Sequence, residues 1–540
     1  MYRNVSKQSM LSTTTDTMST QTAAFDWLPQ EVMENIAFFS ATTTDVGPPS
    51  DLIPLLLSCK SIYLALSLDT NPHLCARIFE HKFDLSAAVR RMGQQIATPD
   101  VLSKELRKRF VYLKRIRART DSRICAPNTN SPILGELLWL AYLMVLENDG
   151  KNVKQLREYA GMEQWLTEYW FDDEGASQAT KALLADEWPL DNEHNALAMW
   201  LFWLFLKPDR FQRTERNYRT FTTVLKPTAL AANKYDICQI PWEAFVPRSC
   251  LLEPTSIQHY SNSYHLTPPT MAIPAILSYL SLMGPLVGPT RVAYKGPHHA
   301  PNSFPSSLSQ SLEWEADWQR CINLAQTPLT SQFSGAYIAG SLQGVWEGVF
   351  TYTEFTTYAA LLSGRSPSIL HNCSVAQHRQ TWKLREYHLI VSREADGGAD
   401  GAKSPSPSLS SGDPLKAFFP PGIRIHEHVG SAEVHEPGKV ATLSYKRCDA
   451  ETEGADVRDI IVVGEGHSAW GQFNIIGRVR PCDGFVSLLK EYVEGDRGQW
   501  LYRGYLVGSI NGSLSGRWRD TLSLPEANGY EGCFAMRRRR

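Results

Sequence analysis

From about residue 331 onward, glycine and aromatic residues recur every second position, and this pattern restricts the segment to a strongly curved sheet. Positions 344–352 place Trp346, Gly348, Phe350 and Tyr352 on one face, and positions 471–479 place Phe473, Ile475 and Gly477 likewise. Asp483-Gly484 is a strong hairpin turn, and 485–492 reads as the return strand. Trp500, Tyr502, Gly504 and Leu506 alternate next, Asn511-Gly512 marks another turn, and Leu514, Gly516 and Trp518 follow. Gly532, Phe534 and Met536 give the last strand. Adjacent strands joined by short turns predict an antiparallel meander. Small residues beside large ones let the rings pack where a sheet bends. The expected fold for 331–540 is a closed or nearly closed β-barrel, with a two-sheet sandwich as the alternative. Residues 394–412 are low in complexity and read as a disordered insertion in this domain.

The opening Gly344-Val345-Trp346 resembles the start of lipocalin-like barrels. A barrel of that kind implies a mouth that takes a target protein's tail or a small ligand. Arg478, Arg480, Arg503, Arg517 and Arg519 alternate with apolar positions and are expected on the outer face or rim. There they are either solvated, or one or two of them read an acidic group through bidentate contacts. The run 537–540 reads as a nuclear signal, an anion contact or a frayed end. His426, His428 and His435 are read as incidental histidines on a solvent-facing strand. Around Ser468 the glycine that a nucleophile elbow needs is replaced by Trp470, and the segment leads into a strand. Neither a phosphate-binding loop nor a dinucleotide fingerprint occurs. No cofactor or metal is expected.

At 540 residues the chain exceeds one core, and two or three domains are expected. The first 24 residues read as a disordered tail. Residues 93–330 read as a helical middle with an irregular, proline-rich second half and a looser stretch near 286–311. Within it, Leu106, Phe110, Leu113 and Ile116 recur at helical spacing opposite a basic, solvated face. Residues 134–147 are apolar nearly all round, which predicts a central helix. The apolar run 196–206 has about eleven residues, too few to cross a bilayer, which takes ~20. A formal net charge of −2 argues against broad nucleic-acid binding. The ten cysteines are scattered without a CxxC pair, which fits a reduced compartment, cytoplasm or nucleus.

Residues 25–92 form a short, strongly patterned helical block. Leu28-Pro29-Gln30-Glu31 opens a helix on which Val32, Met33 and Ile36 repeat at helical spacing. Asp51-Leu52 starts a second helix carrying Leu52, Leu55 and Leu56, and Cys59-Lys60 leads into a third with Tyr63, Leu64 and Leu66. This order resembles the F-box. Ile62 and Tyr63 stand where that family has a tryptophan, and the insert 42–50 lengthens the first connection. The whole layout is similar to large F-box proteins of basidiomycete fungi. The resemblance implies docking onto a Skp1-type adaptor of a cullin-based ubiquitin ligase. By position, the docking residues are Leu28, Pro29, Val32, Met33, Ile36, Leu52 and Leu55.

The expected fold is therefore α+β and multidomain. The expected role is a non-catalytic substrate-recognition adaptor that holds an unidentified target protein near the ligase, with no nucleic-acid or membrane partner. The alternative is a ligand-binding or hydrolytic β-barrel whose N-terminal helices form a purely structural cap.

Overall fold

In a computed structural model the alternating segments close into an eight-stranded antiparallel barrel. The structure describes residues 28–67, 69–124, 132–207, 215–283, 309–390, 408–448, 456–509 and 511–539. The tail expected over 1–24, and most of the insertion expected over 394–412, lie outside these residues.

The helical half carries one hairpin, β1 (Thr255–His259) and β2 (Asn262–Leu266). The C-terminal half begins with β3 (Gly344–Thr353) and β4 (Val375–Ile390), followed by three short strands, β5 (Arg424–His428), β6 (Ser431–His435) and β7 (Leu443–Arg447). Next come β8 (Val457–Ser468), β9 (Gly471–Val479), β10 (Phe485–Tyr492), β11 (Gln499–Val507), β12 (Ser513–Asp520) and β13 (Glu531–Arg538). Around the barrel the order is β3-β13-β12-β11-β10-β9-β8-β4, and β4 pairs back onto β3 from Gly344↔Leu384 to Thr353↔Val375. The strands β7-β6-β5 extend from β4 as a flap.

Trp346, Trp382 and Trp518 point inward and are fully buried. Glycine is obligatory where β11 meets β12. A Cβ on Gly504 would lie 2.0 Å from the Ser515 carbonyl oxygen, and one on Gly516 would lie 2.0 Å from that of Arg503. The sequence alternation thus records where backbones approach so that indoles fit between them.

One end of the barrel is sealed by the segment just ahead of β3. Glu386, buried at that end, accepts hydrogen bonds from the Tyr337 hydroxyl (2.8 Å), Gly340 N (2.6 Å) and Leu342 N (3.0 Å), and meets His388 Nε2 at 2.7 Å. Trp346 donates to the Leu342 carbonyl at 2.8 Å, and Arg538 lies 5.4 Å over its ring. At the opposite end Trp470, in the β8–β9 turn, packs on Phe350 (5.3 Å), Tyr352 (5.0 Å) and His378 (4.8 Å). The mouth expected to admit a ligand is thus occupied by the protein's own rings.

The N-terminal half begins with α1 (Gln30–Ala41), α2 (Leu52–Leu56), α3 (Lys60–Leu66) and α4 (Pro72–Lys82). Asn71 caps α4 by accepting from Leu74 N at 2.9 Å, and Pro72 sits in the first turn, where its missing N–H is not needed. The helix Pro99–Ala118 buries Leu106, Phe110, Leu113 and Ile116, the stripe read from the sequence. The helices Pro132–Leu146 and Glu193–Phe205 are buried almost all round and lie at the centre of this half. The proline-rich stretch is more regular than expected. It forms helices Glu215–Leu230, Ala272–Met283 and Glu315–Asn323 besides the β1–β2 hairpin. Pro274 is tolerated because it falls in the first turn of its helix.

The largest apolar core runs without a break from Ala37 and Phe79 through Leu140, Trp200 and Leu277 to Tyr505 and Ala535 on the barrel's outer wall. Among the described residues no helix is long and apolar enough to cross a membrane.

Candidate docking face and arginine cleft

On α1, Val32, Ile36 and Phe39 follow at spacings of four and three and so share one stripe of the helix. Met33, Ala37 and Ala41 occupy another stripe, turned into the core. Val32 is 42% exposed and Ile36 39%. The neighbouring helices add Ile53, Leu57 (77% exposed), Tyr63 and Leu64 to the uncovered apolar side chains. Six such residues on α1, α2 and α3, and Leu57 just past α2, leave apolar surface uncovered on helices that pack on one another, and several exposed apolar side chains on neighbouring elements stand out more than single scattered ones.

Of the docking residues taken from the family resemblance, Val32, Ile36 and Pro29 are exposed and Leu28 is half-buried. Met33 and Leu55 are half-buried against the core. Leu52 is a correction: it is 0% exposed and belongs to the chain's own interior. Five residues make up α2, and a step of one residue turns the helix by about 100°, so Ile53 faces out where Leu52 faces in. The docking set taken from the resemblance leaves out Phe39, Leu57 and Leu64, all exposed, although Phe39 continues the Val32–Ile36 spacing. Leu52→Ala is accordingly expected to lower stability by about 2–4 kcal/mol. Ile53→Ala should change it by less than about 0.5 kcal/mol. Urea unfolding of the two variants checks both.

These helices are mounted firmly. Asn71 Nδ2 donates to Glu34 Oε1 (2.8 Å) and to the Ala65 carbonyl (3.2 Å), which ties α1, α3 and α4 together. The insert 42–50 is a strap onto the π-helical turn Gln155–Tyr159. Gly47 N donates to Gln155 Oε1 at 2.8 Å, and Gln155 Nε2 returns a bond to the Asp45 carbonyl at 2.7 Å. Lys82 Nζ donates to the Thr44 carbonyl at 2.6 Å. These bonds tie the segment carrying the stripe to the helical half at several points.

The five barrel arginines require a second correction. They lie on the outer wall, but none is solvated: Arg478, Arg480, Arg503, Arg517 and Arg519 are each at most 3% exposed. The helical half and its loops cover that wall, a second layer that strand alternation cannot encode. Arg478 pairs with Asp459 at 3.0 Å, and Arg480 pairs with Asp483 at 2.7 Å. Arg480 Nη1 also donates to the carbonyls of Pro241 (3.0 Å) and Ala244 (2.9 Å). Arg517 reaches the carbonyls of Tyr235 (2.6 Å) and Ala229 (3.0 Å). Arg480 and Arg517 thus tie the barrel wall to the helical half, while Arg478 also donates to the Ser410 and Phe418 carbonyls of the barrel's own domain.

Arg503, Arg517 and Arg519 also line a cleft of about 570 Å³ between barrel and helical half. Arg503 and Arg517 sit directly opposite each other on β11 and β12, and Arg519 faces Glu531 across β12 and β13. Arg503 pairs with Glu531 at 2.8 Å. The Trp242 ring lies 4.1 Å from the Arg503 guanidinium and 5.1 Å from that of Arg519. Asp191, Asp236, Glu253 and Glu526 stand exposed at the rim.

The remaining candidate chemistry is dispersed. His426 and His428 are exposed on β5, with His428 Nε2 3.6 Å from Glu433. Among the described residues no group of three metal-ligating side chains converges. Ser468 ends β8 and leads by a tight turn into β9. Inside the barrel Lys490 is 2% exposed, and burial pushes its ammonium down to about 7. The period-two phase of Val486, Leu488, Lys490 and Tyr492 already places this lysine inward. Comparison with known protein families, curated protein sequences and solved structures finds no match to this chain.

Proposed function

We propose that the chain is a substrate-recognition adaptor that docks onto a Skp1-type subunit of a cullin ubiquitin ligase through α1–α3. The observation that carries this reading is the uncovered stripe of Val32, Ile36 and Phe39, with Ile53, Leu57 and Leu64 on the adjoining helices. Apolar surface left in water forgoes about 25 cal/mol per Å², so such a face gains most from a partner with a matching apolar groove. The F-box-like order of residues names that partner class. The mounting of these helices supports the same role, because an adaptor works by holding its target at a set distance from the ligase and so raising its effective concentration. The alternative, a barrel that takes a small ligand through its mouth, has less in its favour, since Trp470, Tyr352 and His378 occupy that mouth.

The test is a pull-down of purified Skp1-type adaptor by the full chain and by Ile36→Asp. Capture by the parent chain, and its loss in the variant at unchanged melting temperature, is the expected result. Equal capture by both proteins, or none by the parent chain, would overturn the assignment.

A further inference from the structure

The cleft between barrel and helices has two tiers of opposite charge. Its floor holds Arg503, Arg517 and Arg519, all buried. Among the described residues these three have one ion-pair partner, Glu531, and Asp236 acts on Arg503 and Arg517 through charge alone. Arg517 and Arg519 spend their donors on backbone carbonyls, which carry no net charge. Among the described residues the buried Nε atoms of Arg503 and Arg517 find no hydrogen-bond partner. Like charges placed directly across two strands, as Arg503 and Arg517 are, oppose pairing unless something offsets them. Burial, and after it the neighbouring Arg503, lowers the pKa of Arg519, while Glu531 and Asp520 act the other way. The rim is the reverse, with Asp191, Asp236, Glu253 and Glu526 exposed around it. Trp242, Leu251 and Leu252 supply apolar wall between the tiers.

A simple anion would meet the floor but be repelled by the rim, and a simple cation would meet the reverse. From this juxtaposition we infer that the cleft binds a peptide segment in which a carboxylate side chain is flanked by apolar and then basic residues. The carboxylate reaches the arginine floor, apolar neighbours lie on Trp242 and Leu252, and basic side chains meet the rim. The volume suits a few residues of extended chain, as ligand pockets span about 300–1,000 Å³. Charge-assisted contacts to guanidinium are among the stronger hydrogen bonds in proteins, and acidic rim charges exclude wrongly patterned sequences. That this peptide belongs to a target protein rests on the adaptor reading. The binding itself does not, and is measured on the full chain with no adaptor present.

The probe is a dye-labelled peptide Lys-Leu-Glu-Leu-Lys, compared by fluorescence anisotropy with the same peptide carrying Gln for Glu, and with one carrying Glu for both Lys. The first should bind, and each of the others should bind about tenfold more weakly or worse. Inorganic phosphate, a simple anion that the acidic rim repels, should not displace the first at millimolar concentration. Arg503→Gln should abolish binding. Because that variant loses a buried ion pair and risks misfolding, Glu253→Lys combined with Glu526→Lys provides a second route at exposed positions. It should weaken the basic-flanked peptide and restore the acid-flanked one. Equal binding of the Glu and Gln peptides, absence of the charge-swap rescue, or a melting-temperature rise with phosphate but no peptide binding would each overturn the inference.

Discussion

Replacing Arg109 with methionine should lower the stability of the chain by about 3–5 kcal/mol, the usual consequence of removing one member of a buried ionic network. Arg109 is 0% exposed and donates to Glu105 (3.1 Å), Glu147 (3.1 Å), Asn152 (3.1 Å) and the Tyr260 hydroxyl (2.9 Å). Its guanidinium also lies 5.0 Å from the rings of both Phe79 and Phe83. These partners come from α4, from Arg109's own helix Pro99–Ala118, from Glu147 just past the helix Pro132–Leu146, from the short helix Lys151–Lys154 and from the β1–β2 turn, so one side chain joins five segments. Methionine fills a similar volume but leaves Glu105 only the distant His259 Nδ1 at 3.9 Å, and leaves Glu147 paired with His259 Nε2 at 2.6 Å. The pH dependence should move as well. Burial works to raise the Glu147 carboxyl, but His259 and then Arg109 more than offset it and hold it below the ordinary 4.5. A carboxyl held low contributes stability that is complete above its unfolded value and is lost as pH falls through its folded value. With Arg109 gone, the acid limb of the stability curve should shift to higher pH. Urea unfolding followed by circular dichroism from pH 4 to 7 measures both effects. A loss under about 1 kcal/mol would show that the network is not under the strain of burial argued here.

The barrel was legible because a period of two admits few folds, and because Gly504 and Gly516 mark close backbone approach in the sequence itself. The helix Pro99–Ala118 was legible for the parallel reason, with Leu106, Phe110, Leu113 and Ile116 in phase at 3.6. What could not be read depends on contacts between layers. Arg503 and Arg517 look like solvated edge residues in any one-strand pattern, and only the helical half packed over them makes them buried. Prolines 268, 269 and 274 hid the helix Ala272–Met283, since a proline in the first turn and one in the interior are the same letter in the sequence. The docking stripe was half legible. Val32 and Ile36 follow from helical spacing, but in a helix as short as α2 one residue of phase decides whether Leu52 or Ile53 meets a partner.

Lys490→Met should have the opposite sign to the arginine change and stabilise the chain by about 2–4 kcal/mol near pH 6, in line with buried charges replaced by apolar groups of similar volume. Lys490 sits within the barrel, its Nζ 3.9 Å from the Phe473 ring centre and 4.8 Å from that of Tyr492. Its one polar contact among the described residues is Gln380 Oε1 at 3.3 Å, and it makes no ion pair there. Burial pushes its pKa from 10.5 to about 7. For a base depressed in this way, the unfolded chain holds the extra proton between about pH 7 and 10.5, so stability rises with pH across that window and the penalty is complete below it. Each unit is worth about 1.4 kcal/mol, and the lost amide contact and ring attraction offset part of the gain. Methionine has no charge to desolvate, and Gln380 Oε1 keeps the Tyr502 hydroxyl at 3.3 Å. Melting temperatures of the two proteins should therefore be furthest apart at pH 6 and converge toward pH 10. Curves that stay parallel over that range would mean that the amine keeps its charge in the folded barrel and has found an anion there.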